Sequence, residues 1–94
     1  MRRLNSQQQD FYLLALGEVV HDLRLNQGLS QQDLADLANV HRTYVSDIER
    51  GARNLTVTTV TRIAGALDIQ LSKLFRLVDE RADSSKPLSL GSFD

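Results

Sequence analysis

Ninety-four residues with a formal net charge of −1 and no cysteine describe one small domain, with a core that is adequate but not generous. Disulfides and thiolate metal sites are excluded. No apolar run is long enough to span a bilayer, and the opening Met1-Arg2-Arg3-Leu4-Asn5 lacks the apolar stretch of a signal peptide, so a cytoplasmic protein with no membrane partner is expected.

In chain order, residues 1–7 are small and polar and read as a flexible N-terminus. A first helix is predicted from about Gln8 to Gln27, with Phe11, Leu14, Ala15, Val19 (or Val20) and Leu23 recurring every three or four residues as one apolar stripe. Gly28 ends it, and Leu29 fits the apolar contact that follows a glycine C′ residue. Ser30 is a good N-cap for a second helix, and Asp33 stands three residues on, where a shortened capping box would close. Leu34, Ala35, Leu37 and Ala38 give that helix an apolar face ending at Asn39. After the lone apolar Val40, a third helix begins at His41 and closes at Gly51. Two helices this short, with so brief a connection, must cross steeply, as a helix-turn-helix does.

Residues 52–55 form a short loop, and Thr56 caps a fourth helix, Val57 to Leu67, with Val60, Ile63, Ala64 and Leu67 facing inward. Its Thr-rich start is poor in intrinsic helix propensity, so tertiary packing must carry it. Asp68 interrupts the pattern. A fifth helix runs from about Leu71 to Ala82 with Leu71, Leu74, Phe75 and Val78 on one side and Leu77 off that stripe. Asp83 to Pro87 stops it, and residues 83–94 make a C-terminal tail containing Leu88, Leu90 and Phe93. No β pattern or repeat interrupts the series, so the fold class is all-α.

Charge is distributed unevenly. Residues 41–62 carry Arg42, Arg50, Arg53 and Arg62 against Asp47 and Glu49, a net +2, whereas residues 63–94 are net −1. An arginine surplus without lysine suits bidentate contacts to phosphate or guanine. The overall −1, and Asp47 in particular, count against a nucleic-acid partner.

Residues 16–76 resemble the XRE family of Cro/C1-type helix-turn-helix DNA-binding proteins. The matching residues are Leu16, Val20, Leu23-Arg24, Gly28-Leu29-Ser30-Gln31, Leu34-Ala35, Val40, Tyr44-Val45-Ser46, Ile48-Glu49-Arg50-Gly51, Ile63-Ala64, Leu67 and Leu74-Phe75. Within that family, residues 42–50 followed by Arg53-Asn54-Leu55-Thr56 look like restriction–modification controller proteins. The resemblance implies a compact five-helix, lambda-repressor-like domain over residues 8–82 and a transcriptional regulator without cofactor. It also implies an ion pair between Arg24 and Glu49, and a phosphate contact by Gln31 at the start of the second helix, where free backbone N–H groups favour anions.

Placed in a major groove, the third helix would direct its N-terminal residues at base edges. Arg42 then suits guanine O6 and N7, and Thr43 a thymine methyl or a base acceptor, with Ser46 one turn on. An isolated arginine or hydroxyl of this kind is ordinarily solvated surface. Tyr44 either reaches a phosphate or packs its ring on the surface. Arg50 belongs to the same basic set. Arg53 reads as a minor-groove or phosphate contact, and Asn54 as a DNA contact or a turn residue. His41 caps weakly, touches phosphate, or does neither.

Catalysis finds no support: His21 and His41 are the only histidines, with no ligand-spaced partners, and there is no glycine-rich phosphate loop or nucleophile elbow. Because one such domain reads few base pairs, a homodimer on a palindromic operator of double-stranded DNA is expected. Ile69, Leu77 and Val78 are the candidate interface, while Leu74 and Phe75 belong to the core. Two alternatives stand beside this reading. One is an antitoxin-type regulator holding a toxin through the tail or the fifth helix; the other is an interaction module that does not bind DNA.

Overall fold

Asn5 opens the first helix by a reciprocal cap. Its Oδ1 accepts the Gln8 backbone N–H at 2.8 Å, and the Gln8 side chain accepts the Asn5 N–H at 2.9 Å. In the computed structural model, which describes residues 3–52 and 55–85, this sets the start of α1 (Ser6–Asn26) two residues earlier than periodicity suggested. The segment expected to be flexible thus supplies both a cap and a first turn, because Asn and Gln three residues apart satisfy two otherwise orphaned donors.

The remaining helices are α2 (Gln31–Ala38), α3 (Arg42–Glu49), α4 (Val57–Ala66) and α5 (Leu71–Ser85), with no strand among the described residues. Ser30 and Asp33 form the capping box expected at the start of α2. Asn39 ends α2 in the left-handed conformation at φ 56°, a geometry Asn tolerates better than most residues, and the Val40 N–H returns to the Ala35 carbonyl at 3.0 Å. His41 then caps α3, its Nδ1 accepting the Thr43 N–H at 3.2 Å. Arg62 reaches across from α4 to donate to the Asn39 carbonyl at 3.2 Å, so the turn between α2 and α3 is braced from outside.

Every helix places a side chain in one core: Val20 from α1, Leu34 from α2, Val45 and Ile48 from α3, Ile63 from α4 and Leu74 from α5 are all essentially inaccessible. Burial of such side chains stabilises by about 1.5–3 kcal/mol each. It also carries α4, whose Val60, Ile63, Ala64 and Leu67 are buried as expected despite its poor start.

Three outward residues depart from the sequence reading. Leu14, placed on the apolar stripe of the first helix, is half exposed, because α1 packs on both α3 and α5 and turns Ala15, Leu16, Val19 and Val20 inward instead. Leu37 is exposed at the far side of α2. Phe75, assigned to the core, is 44% exposed; the core row of α5 is Leu74, Val78 and Ala82 at four-residue steps. α5 also extends to Ser85 rather than stopping at Ala82, and Arg81 ties it to α1 through Glu18 at 3.2 Å and Asp22 at 2.6 Å.

Candidate nucleic-acid interface

α3 is only eight residues long, too short to hold itself as an isolated helix. Its inward residues Val45 and Ile48 dock it on the core. Arg42, Thr43, Ser46, Asp47 and Arg50 then follow one another at steps of one, three, one and three on the opposite side, with Tyr44 on the flank. Arg42, Thr43, Tyr44 and Arg50 are exposed, and Ser46 and Asp47 are half-buried.

The C-terminal end of α3 is fastened to α1 by charge. Arg24 Nε donates to Glu49 Oε2 at 2.7 Å and Arg24 Nη2 to Oε1 at 3.0 Å, a two-point contact between side chains only 9% and 7% exposed. Arg24 spends a further donor on the Leu29 carbonyl at 2.7 Å, so the pair also secures the segment leading into α2. Burial pushes the Glu49 carboxyl up, but hydrogen bonds from Arg24, His21 and Gln31, with the Arg24 charge, outweigh it and hold the group below its ordinary range. The hydrogen bond to Glu49 likewise holds the Arg24 guanidinium above its ordinary value, against burial.

Gln31, the first residue of α2, bridges this pair to the outer face. Its Nε2 donates to Glu49 Oε1 at 3.1 Å, and its Oε1 lies 3.5 Å from Arg42 Nη1. The backbone N–H groups of Gln31 and Gln32, in the first turn of α2, have no intrahelical carbonyl to meet, whereas the Asp33 N–H is taken by Ser30 Oγ. One end of α2 and the start of α3 therefore present donors side by side.

Asp47, the acidic residue that sequence alone sets against nucleic acid, is ion-paired with Arg50 one turn on. Its charge is met locally, at the expense of an arginine that reads as basic surface in the sequence. His41 spends its Nδ1 on the Thr43 backbone and hydroxyl, so Thr43 is oriented by its neighbour. Arg53 and Asn54, two further DNA-contact candidates, lie outside the described residues, as do Leu88, Leu90 and Phe93 of the tail.

The dimer candidates fall differently. Val78 is in the monomer core at 4% exposure and has no surface to offer a second copy. Ile69 and Leu77 are half-buried against that core. A more apolar groove of about 220 Å³ lies between the N-terminus of α4 and α5, lined by Leu16, Leu55, Val57, Val60, Leu71 and Phe75. It escaped the sequence reading because Phe75 is assigned to the core there and Val57 reads only as the start of the fourth helix.

Sequence reasoning also missed Gly17 and His21. A Cβ on Gly17 would lie 2.4 Å from the Ile48 carbonyl oxygen and 2.8 Å from that of Glu49. A glycine in mid-helix, where it costs about 1 kcal/mol relative to alanine, was the available signal for such a close approach. His21 Nδ1 stands 3.0 Å from Glu49 Oε1 and 3.1 Å from Arg24 Nη2; its spacing of three from Arg24 was the corresponding hint.

Two eight-residue helices joined through a left-handed Asn39, the second turned polar and basic side out, make a helix-turn-helix. The helix-turn-helix family model matches residues 20–74, and the chain belongs to that family. It is 43% identical over 58 residues to control protein C.BamHI of Bacillus amyloliquefaciens, spanning 61% of this chain and 72% of that one. Control protein C.SmaI of Serratia marcescens is 41% identical over 59 residues, spanning 63% and 70%. The fold matches the restriction-modification controller protein C.Esp1396I, solved as a tetramer in complex with its natural 35 base-pair operator, with a TM-score of 0.70 and 35% identity across 77% of this chain and 95% of that one. Among the described residues, no helix is long and apolar enough to cross a membrane.

Proposed function

We infer that this protein is a sequence-specific regulator of transcription that places α3 in the major groove of double-stranded DNA and binds a palindromic operator as a homodimer. The observation that carries the reading is the outer face of α3: Arg42 and Thr43 at its exposed N-terminus, beside Gln31 and the open N-terminus of α2. Arg42 supplies bidentate donors for guanine, Thr43 and Ser46 make shorter contacts, and Gln31, Tyr44 and Arg50 hold phosphates, with Arg53 and Asn54 extending the contact. Occupancy of a promoter by the dimer would block polymerase or, at another position, recruit it, in the cytoplasm where the DNA lies. The control-protein relatives make genes of a restriction–modification system the first targets to test.

The second copy is best seated on the groove of Leu55, Val57, Leu71 and Phe75. Val57 is 75% exposed there, and a large apolar residue left bare beside a groove favours a partner of the same kind. The reading as an interaction module without DNA loses one of its two supports, the charge of Asp47, once that residue is paired with Arg50, and keeps only the overall net charge.

Selecting bound sites from a random duplex library, followed by a salt titration, tests the proposal. A palindromic consensus should emerge, and affinity should fall steeply with salt. Absence of duplex binding at low salt would sink it. Arg42→Ala should relax one position in each half-site, at about 1–3 kcal/mol.

A further inference from the structure

We propose that Glu49, beyond closing the ion pair with Arg24, is a positioning residue for DNA reading: it orients the Gln31 amide so that the amide oxygen steers Arg42. The inference rests on the reading of Arg42 as a base contact. Glu49 is almost fully buried and ionised, so both its oxygens only accept hydrogen bonds. Arg24, His21 and Gln31 all direct nitrogen atoms at it. The group Gln31 turns toward Glu49 Oε1, 3.1 Å away, must therefore be its NH2.

That choice fixes the other end of the amide. The Gln31 oxygen faces outward, 3.5 Å from the Arg42 guanidinium, which can only donate. A flipped amide would set a carbonyl against a carboxylate and an NH2 against a guanidinium, two repulsive contacts in place of two attractive ones. The orientation is thus set by the Glu49 contact and favoured by Arg42, and the second Gln31 N–H remains for a phosphate.

The lengths suit the task. Contacts of 2.7 to 3.1 Å anchor the buried end, while the 3.5 Å contact to Arg42 stands at the outer limit of a hydrogen bond. A long, exposed arginine loses conformers to such a contact before DNA arrives, yet releases it readily when guanine offers two better acceptors. Glu49 at one end of α3 therefore acts on a reader at the other end through a side chain of α2.

The experiment is a base-by-base specificity profile from randomised half-sites, for wild type, Arg42→Ala, Gln31→Met, Glu49→Gln and the double variant Gln31→Met/Arg42→Ala. Circular dichroism at the assay temperature checks folding, and Ile48→Val controls for a purely structural loss. Gln31→Met and Glu49→Gln should each lower discrimination about fivefold at the position that Arg42→Ala relaxes. In the Arg42→Ala background, Gln31→Met should add nothing there. A uniform loss of affinity in Gln31→Met with its base profile intact would make Gln31 a phosphate contact alone and overturn the proposal. Unchanged discrimination in a folded Glu49→Gln would overturn the role of Glu49. Should that variant fail to fold, Glu49→Asp, which keeps the charge but withdraws the carboxylate from Gln31, is read in its place by the same criterion. If Arg42→Ala relaxes no position, the reading of Arg42 falls and this proposal with it, an outcome distinct from the first.

Discussion

Gly17 in α1 and Ile48 in α3 meet backbone to backbone: a Cβ added to Gly17 would stand 2.4 Å from the Ile48 carbonyl oxygen, inside any real contact distance. The approach brings the last turn of α3 against α1, where the Arg24–Glu49 pair locks it. Gly17→Ala pits about 1 kcal/mol of improved helix propensity against overpacking on a backbone that cannot rotate away. The clash should win. The variant is expected to be destabilised by about 1–3 kcal/mol, lowering the melting temperature by roughly 4–8 °C for each kcal/mol. A thermal melt equal to or above that of wild type would contradict the packing described.

The ion pair predicts a dependence on both mutation and pH. Glu49→Ala leaves Arg24 buried without its partner and should cost about 3–5 kcal/mol, read as a shift in urea midpoint. The carboxyl of Glu49 is held below its ordinary value in the fold, so the native state binds its proton less readily than the unfolded chain. Its stabilisation is complete above about pH 4.3 and is lost as pH falls through the lowered native value. Midpoints measured from neutral pH into acid should therefore fall less steeply for Glu49→Ala than for wild type. Parallel acid limbs would remove Glu49 from the account.

Asp47 and Arg50 make a separable prediction about DNA. Their pair is exposed, so breaking it should change folding stability by less than about 1 kcal/mol. Asp47→Asn removes a negative charge from the outer face of α3, the side proposed to meet DNA, and frees Arg50. Affinity for duplex should rise, and the slope of log affinity against log salt should steepen by up to about 0.9 for one added phosphate contact. An unchanged slope would place Arg50 away from phosphate.

The groove between α4 and α5 predicts the oligomeric state. Phe75 is 44% exposed and Val57 75% exposed, so Phe75→Ser or Val57→Asp should leave the monomer fold nearly as stable while weakening self-association. Sedimentation velocity over a concentration series reads the effect, and half-site cooperativity on operator DNA should fall in step. A dimer unaffected by either change would move the interface elsewhere.

The helices themselves were written in short-range chemistry. Ser30 with Asp33, His41 before Arg42, Thr56 before Val57, and Asn39 at the turn all act within four residues, so their effects could be read along the chain. The earlier start of α1 used the same chemistry, in the Asn5–Gln8 cap, and was overlooked. Membership in the helix-turn-helix family and the Arg24–Glu49 partnership were also within reach, through the resemblance over residues 16–76.

Tertiary structure alone decided which apolar residues would be used. Phe75 and Val78 occupy equivalent-looking places in the fifth-helix pattern, yet one is exposed and the other buried, because α1 and α4 together cover only part of α5. Likewise Leu14 yields the interior to Ala15 and Leu16, since α1 must satisfy two neighbours at once. The chain of contacts from Arg24 through Glu49 and Gln31 to Arg42 spans three helices. Caps and periodicity depend on a residue's nearest neighbours, which the chain specifies directly. Burial and side-chain partnership depend on neighbours brought from 18 or 25 positions away, and those distances close only when the helices pack.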